Sequence, residues 1–150
     1  MYLLEREQKV RTTIRKAWDF IKTPGNLNRI TPPELDFEIV SDVPELMHNG
    51  LMIEYFITIP FFGRQRWVAE IKHIREPISF VDEQRAGPYK LWYHYHELIE
   101  TDNGVRIIDK VYYEVPFGIF GKLMHFFVIR NTLQRIFDYR AEKFEELLSE

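Results

Sequence analysis

Trp92, His94 and His96 stand at alternate positions in the run Leu-Trp-Tyr-His-Tyr-His-Glu-Leu, residues 91–98. Side chains alternate across a β-strand, so one indole and two imidazoles share a face. Imidazoles so placed suit three kinds of chemistry: metal ligation, proton transfer, or the polar wall of a pocket. A His-x-His strand beside a carboxylate resembles the ligand sets of several metal-binding β proteins, and Asp109, Asp82 or the Gln84 amide could supply a third donor. Such a site needs one more correctly placed donor, and the expectation is no metal and no cofactor. For proton transfer, Asp109 would orient an imidazole. Covalent catalysis is poorly served, because the chain has no cysteine and Ser41, Ser79 and Ser149 lie in no Gly-x-Ser-x-Gly context. No glycine-rich phosphate loop is present. A buried histidine also needs a hydrogen-bond partner whether it is structural or lines a pocket.

The elements that must position these groups follow from the periodicity. From Glu34 to Val115 the apolar residues repeat every second position, first at Leu35, Phe37 and Ile39 and then at Ile53, Tyr55, Ile57 and Ile59. A three-residue loop Phe61-Phe62-Gly63 would set Ile57 opposite Trp67, Tyr55 opposite Ala69 and Ile53 opposite Ile71, with Glu54 facing Glu70 on the other side. A two-residue Asn103-Gly104 turn would set Leu98 opposite Asp109, His96 opposite Val111, His94 opposite Tyr113 and Trp92 opposite Val115. Asp109 is then diagonal to His96. An odd loop at Ala86-Gly87-Pro88 brings Phe80, Asp82 and Gln84 to the same face. The aromatics Tyr55, Trp67, Trp92, Tyr113, Phe126 and Phe127 suffice to stack on a flat or isoprenoid ligand.

Before this sheet, Met1–Val10 reads as a first strand. Thr12 or Thr13 caps a short helix carrying Ile14, Ala17, Trp18 and Ile21; a second short helix follows Thr23-Pro24 and ends before Pro32-Pro33. From Ile119 the period returns to 3.6, through Leu123, Phe126, Phe127, Arg130, Leu133, Ile136, Phe137, Arg140, Phe144 and Leu147. A helix of roughly 30 residues is ~45 Å long, enough to cross a sheet of ten-residue strands ~33 Å long. Its turns from Glu142 to Glu150 read as solvated. The expected order is strand, two short helices, six strands and one long helix, in one domain over residues 1–150.

Composition narrows the partners. A net charge of −3 gives no general case for nucleic acid, and the alternating Arg64, Gln65, Arg66, Lys72 and Arg75 read as a solvated sheet face. Disulfides and thiolate metal sites are excluded. The N-terminus has too short an apolar run for a signal peptide, so a cytoplasmic location is expected. Phe61-Phe62-Gly63 and Pro116–Gly121 place aromatics beside glycines at strand ends. That pattern fits turn chemistry, or an apolar rim for ligand access and transient membrane contact.

Residues 24–37 (PGNLNRITPPELDF), 80–96 (FVDEQRAGPYKLWYHYH), 109–118 (DKVYYEVPFG) and 136–140 (IFDYR) resemble a branch of the START-like, or SRPBCC, superfamily. The resemblance spans nearly the whole chain. It implies an α+β helix-grip fold, with about seven antiparallel strands curved around a long C-terminal helix. It also implies a hydrophobic cavity beneath that helix for lipids, sterols, polyketides or quinones. The expected function is binding or transport of a small hydrophobic or amphipathic ligand by Tyr55, Trp67, Gln84, Trp92, His94, His96, Asp109, Tyr113, Phe126 and Phe127. Two alternatives stand beside it: a cyclase/dehydratase-type enzyme using His94 or His96 with Asp109, and an accessory interaction module with a vestigial cavity.

Overall fold

The computed structural model describes all residues, 1–150. Strand β1 (Tyr2–Val10) leads through a Thr13-capped helix α1 (Ile14–Ile21) and two 3-10 turns (Pro24–Arg29 and Pro33–Leu35) to β2 (Glu38–Ile39). Strands β3 (Leu51–Ile59), β4 (Gly63–Arg75), β5 (Ser79–Ala86), β6 (Leu91–Thr101) and β7 (Gly104–Glu114) follow. All seven form one antiparallel sheet in the order β1-β7-β6-β5-β4-β3-β2. The first strand thus closes against the last, as the expected helix-grip order requires. Register shifts in β4–β5 at Val68/Ala69 and Lys72/Arg75 add curvature.

The expected strand through Leu35, Phe37 and Ile39 shrinks to two residues. Pro32 and Pro33 favour a turn, and Asp36 takes a left-handed φ of 47° before pairing can begin. Both hairpin registers also differ from expectation. The β3–β4 loop is Pro60-Phe61-Phe62, so Ile59 faces Gly63, Tyr55 faces Trp67 and Ile53 faces Ala69. The β6–β7 loop is Asp102-Asn103, so Thr101 faces Gly104, His96 faces Asp109, His94 faces Val111 and Trp92 faces Tyr113. Each partner moves by two residues, which preserves which face it occupies. The expected Glu54–Glu70 pairing is replaced by Glu54 opposite Val68, and Glu54 instead accepts from Arg66 at 2.5 Å.

The C-terminal helix runs from Gly118 to Leu148, as α2 (Gly118–Met124), a π-helical turn (His125–Ile129) and α3 (Arg130–Leu148). The π turn inserts extra residue spacing and rotates the N-terminal part about the axis. Gly121, His125, Ile129, Leu133 and Phe137 are consequently buried, whereas Phe126 and Phe127 point outward and are 63% and 66% exposed. The final turns are not simply solvated: Phe144 and Leu148 pack with Val10, Trp18 and Val105. No helix is long and apolar enough to cross a membrane.

Two apolar clusters fill the concave side. One gathers α1 and the C-terminal end of α3 over Phe80, Leu98 and Ile107; the other gathers Trp67, Trp92, Val111, Leu133 and Phe137. The histidine row lies at their seam.

Candidate functional site

The β5–β6 and β6–β7 registers put Asp82 opposite His94 and Asp109 opposite His96. The imidazoles stack on one another with centroids 3.6 Å apart, and His96 also stacks on Phe80 at 4.1 Å. His94 presents its edge to Phe137 and Trp92. Stacking directs the ring nitrogens sideways, to a carboxylate on each neighbouring strand. His94 donates from Nε2 to Asp109 (2.8 Å), and its Nδ1 lies 3.2 Å from Asp82. His96 Nε2 donates to the same Asp82 oxygen at 2.5 Å. The Arg140 guanidinium reaches over from α3, donating to Nδ1 of His96 at 3.4 Å and lying 3.8 Å from Asp109. Nδ1 of His96 also lies 3.3 Å from Asp109, so both of its nitrogens, like those of His94, face carboxylates.

Carboxylates, imidazoles and a guanidinium thus meet in one largely buried network. Burial alone would raise both carboxyl pKa values, but nearby positive charge outweighs it. Asp82 is held far below its ordinary range mainly by His94, and Asp109 mainly by Arg140 with both histidines. Burial likewise opposes a charged His94, yet Asp82 and Asp109 on its two nitrogens raise its pKa. The two carboxylates thus have Arg140 and the imidazoles as partners, the pairing that burial of charge demands.

Above this cluster is a cavity of about 160 Å³, walled by sheet, 3-10 turns and α3. Of the ten ligand residues expected, it touches Tyr55, Trp67, Trp92, His94 and His96. The first three form an aromatic wall, Tyr55 stacked on Trp67 and Trp67 edge-on to Trp92 at 5.1 Å. Burial and the Asp82 charge push the Tyr55 hydroxyl pKa well up.

The structure does not bring the other five to the cavity. Asp109 lines a smaller cavity of about 50 Å³ instead, with Arg6, Phe137 and Arg140. Gln84 spends its amide on the backbone of Tyr89, donating at 2.7 Å and accepting at 3.1 Å, which closes the loop 87–90. Tyr113 meets Nε2 of His125 at 2.7 Å and anchors the π turn, where Tyr2 stacks on the same imidazole at 3.6 Å. Phe126 and Phe127 are rotated outside by that turn. Sequence reasoning missed the position of Arg140 in the network and the pairing of Asp82 with both histidines. A charged residue in an otherwise apolar helical stripe was the available signal, since a buried charge demands a partner.

Asp82, His94 and His96 each offer a ligand atom within 4.8 Å of the others. Both nitrogens of His94 already face carboxylates, Asp82 on one side and Asp109 on the other. The donor set therefore fits an ion pair network better than a metal centre.

No protein-family model matches the chain, and no curated protein does. Solved structures do. A START superfamily protein from Mycobacterium smegmatis superposes with a TM-score of 0.73 at 8% identity, covering 99% of this chain and 97% of that one. Ginseng major latex-like protein 151 from Panax ginseng gives 0.68 at 13% identity, over 97% and 95%. A nucleoside-diphosphate sugar epimerase from Corynebacterium glutamicum gives 0.68 at 22% identity, over 95% of this chain and 28% of that longer one. Matches at such identity with such coverage are matches of architecture, and they establish that this chain has the START-like, helix-grip fold.

Proposed function

We propose that the protein binds a small amphipathic ligand in the cavity between sheet and α3, with its polar group against the His94/His96/Asp82/Arg140 cluster. One observation carries this reading: an aromatic-walled cavity that ends on a largely buried, ion-paired polar floor. Apolar walls with a few convergent polar groups are the usual composition of a ligand site. The volume limits what fits. An apolar cavity of about 150 Å³ takes a benzene-sized guest, so the 160 Å³ present suits a single ring or a short chain segment. A whole sterol or diacyl lipid would have to displace α3. The best fit is a ligand with one polar ring or head inside and any tail emerging past the helix. Native mass spectrometry of the purified chain tests this, together with titration of single-ring phenols and quinones monitored by Trp67 and Trp92 fluorescence. Saturable quenching supports the reading; no bound species and no response to any of these ligands sinks it.

A second reading rests on His94 and His96 both reaching the cavity wall. With both nitrogens facing carboxylates, His94 donates a proton to a bound carbonyl only by exchanging its longer contact, Nδ1 to Asp82 at 3.2 Å, for the ligand. A dehydratase or cyclase step would use it so, with Asp82 and Asp109 as positioning residues. Loss of turnover in His94→Gln with ligand binding retained would favour it. An accessory role beside an enzyme domain is the third reading, since a nucleoside-diphosphate sugar epimerase holds a similar fold in 28% of its chain; it predicts that this chain binds no small ligand.

A further inference from the structure

The outward face of the C-terminal helix's first half carries a run of exposed apolar side chains. Phe117, Ile119, Phe120, Leu123, Phe126 and Phe127 are 73%, 75%, 77%, 50%, 63% and 66% exposed. The last five fall on one helical side by their three- and four-residue spacings. At ~200 Å² per phenylalanine side chain, the three rings on that side alone present roughly 410 Å², within the range of the largest apolar patches on soluble monomers, which are often functional. The π turn causes this: without its extra residue, Phe126 would lie two turns before Leu133 on the buried side. It is held in place from within, by His125 against Tyr2 and Tyr113.

Charge around the patch is one-sided. The chain is net −3, yet Val115 to Phe137 contains Lys122, Arg130 and Arg135 and no aspartate or glutamate. Arg135 is engaged by Glu34, whereas Lys122 and Arg130 are exposed and make no ion pair. At the same end of the sheet the β3–β4 loop projects Phe61, 87% exposed.

We infer that the Phe117–Arg130 face docks on the surface of an anionic phospholipid bilayer, its phenylalanines entering the acyl boundary while Lys122 and Arg130 meet lipid phosphates. Exposed aromatic and aliphatic groups bordered by unpaired cations are the composition of an interfacial helix. A second copy is the poorer occupant, because a two-fold contact would bring the unpaired cations of both chains into one interface. The helix lies on the membrane rather than crossing it, and Thr132 at the cavity wall is only about 8 Å along the axis from Phe127. Docking stands apart from what the cavity binds.

The test is co-sedimentation of the full chain with vesicles of phosphatidylcholine alone or mixed with phosphatidylglycerol. Mixed vesicles should pellet it and neutral ones should do so far less. Phe120→Ser with Phe126→Ser should weaken binding by about tenfold or more, with an unchanged melting curve because both side chains are exposed. Lys122→Glu with Arg130→Glu should remove the preference for anionic vesicles, at about fivefold per charge lost. Failure to pellet with either vesicle overturns the inference, as does pelleting that the serine variant leaves intact. A dimer that falls apart in the serine variant without vesicle uptake also overturns it, and makes a second copy the occupant.

Discussion

Replacing Asp109 by Asn tests the ion-paired floor directly. The substitution keeps the shape and one hydrogen-bond acceptor for His94, but leaves Arg140 and a protonated His94 facing the single carboxylate of Asp82. Asp109 is 6% exposed, so water cannot compensate. Breaking a buried ion pair on one side costs about 3–5 kcal/mol, or roughly 6–20 °C in Tm for a chain of this length. The dependence on pH is the sharper signature. In the parent the His94 pKa is raised, so its contribution is fully present below the unfolded value of about 6.5 and lost as pH rises through the folded one. In the variant that pKa drops, since one of the two carboxylates that raised it is gone. The stability deficit should therefore be largest below about pH 6.5 and shrink in alkaline solution, where a neutral His94 restores balance. Urea unfolding of both proteins across that range measures it. A deficit that does not vary with pH, or one under about 1 kcal/mol, would refute a charged His94 between two carboxylates.

On the acid side the sign reverses. The folded pKa values of Asp82 and Asp109 are depressed, so their contribution is present above about pH 4 and lost as pH falls toward the folded values; the urea midpoint of Asp82→Asn should fall less steeply with acid than the parent's. Phe137→Ala removes a buried ring that packs edge-on against His94; it should cost about 3–5 kcal/mol and admit two-ring ligands that the parent excludes, read by parallel titration with benzene and naphthalene. Gly121→Ala would set a methyl 1.8 Å from the Pro116 carbonyl oxygen, forcing the start of the helix off the body. Faster hydrogen exchange across Gly118–Ile129 and a lower Tm should follow, and an unchanged exchange pattern would show that this close packing is not what holds the segment.

Much of the architecture was legible in the chain itself. Alternation at Phe80, Asp82, Trp92, His94 and His96 put these side chains on one face, and the folded sheet keeps them there. Both hairpin registers were misread by two residues, because Phe61-Phe62-Gly63 and Asn103-Gly104 each allow more than one closure. The faces survived, since a shift of two keeps pleat parity. What changed was the identity of opposing residues. Asp109 faces His96 directly and bonds His94 diagonally, and the Asp82 carboxylate is shared by both rings.

The sequence by itself determined the element order, the inward side of the sheet and the presence of two histidines and carboxylates on it, because periods of 2 and 3.6 are local properties of the backbone. The tertiary structure alone decided which carboxylate each imidazole meets, that Arg140 completes the network, and that Gln84 and Tyr113 serve a loop and a helix instead of the cavity. It also decided the outward turn of Phe126 and Phe127. A strict 3.6 period places them inside; packing of His125 against Tyr2 and Tyr113 selects a π turn instead, and that choice rests in part on a contact with Tyr2, at the far end of the chain.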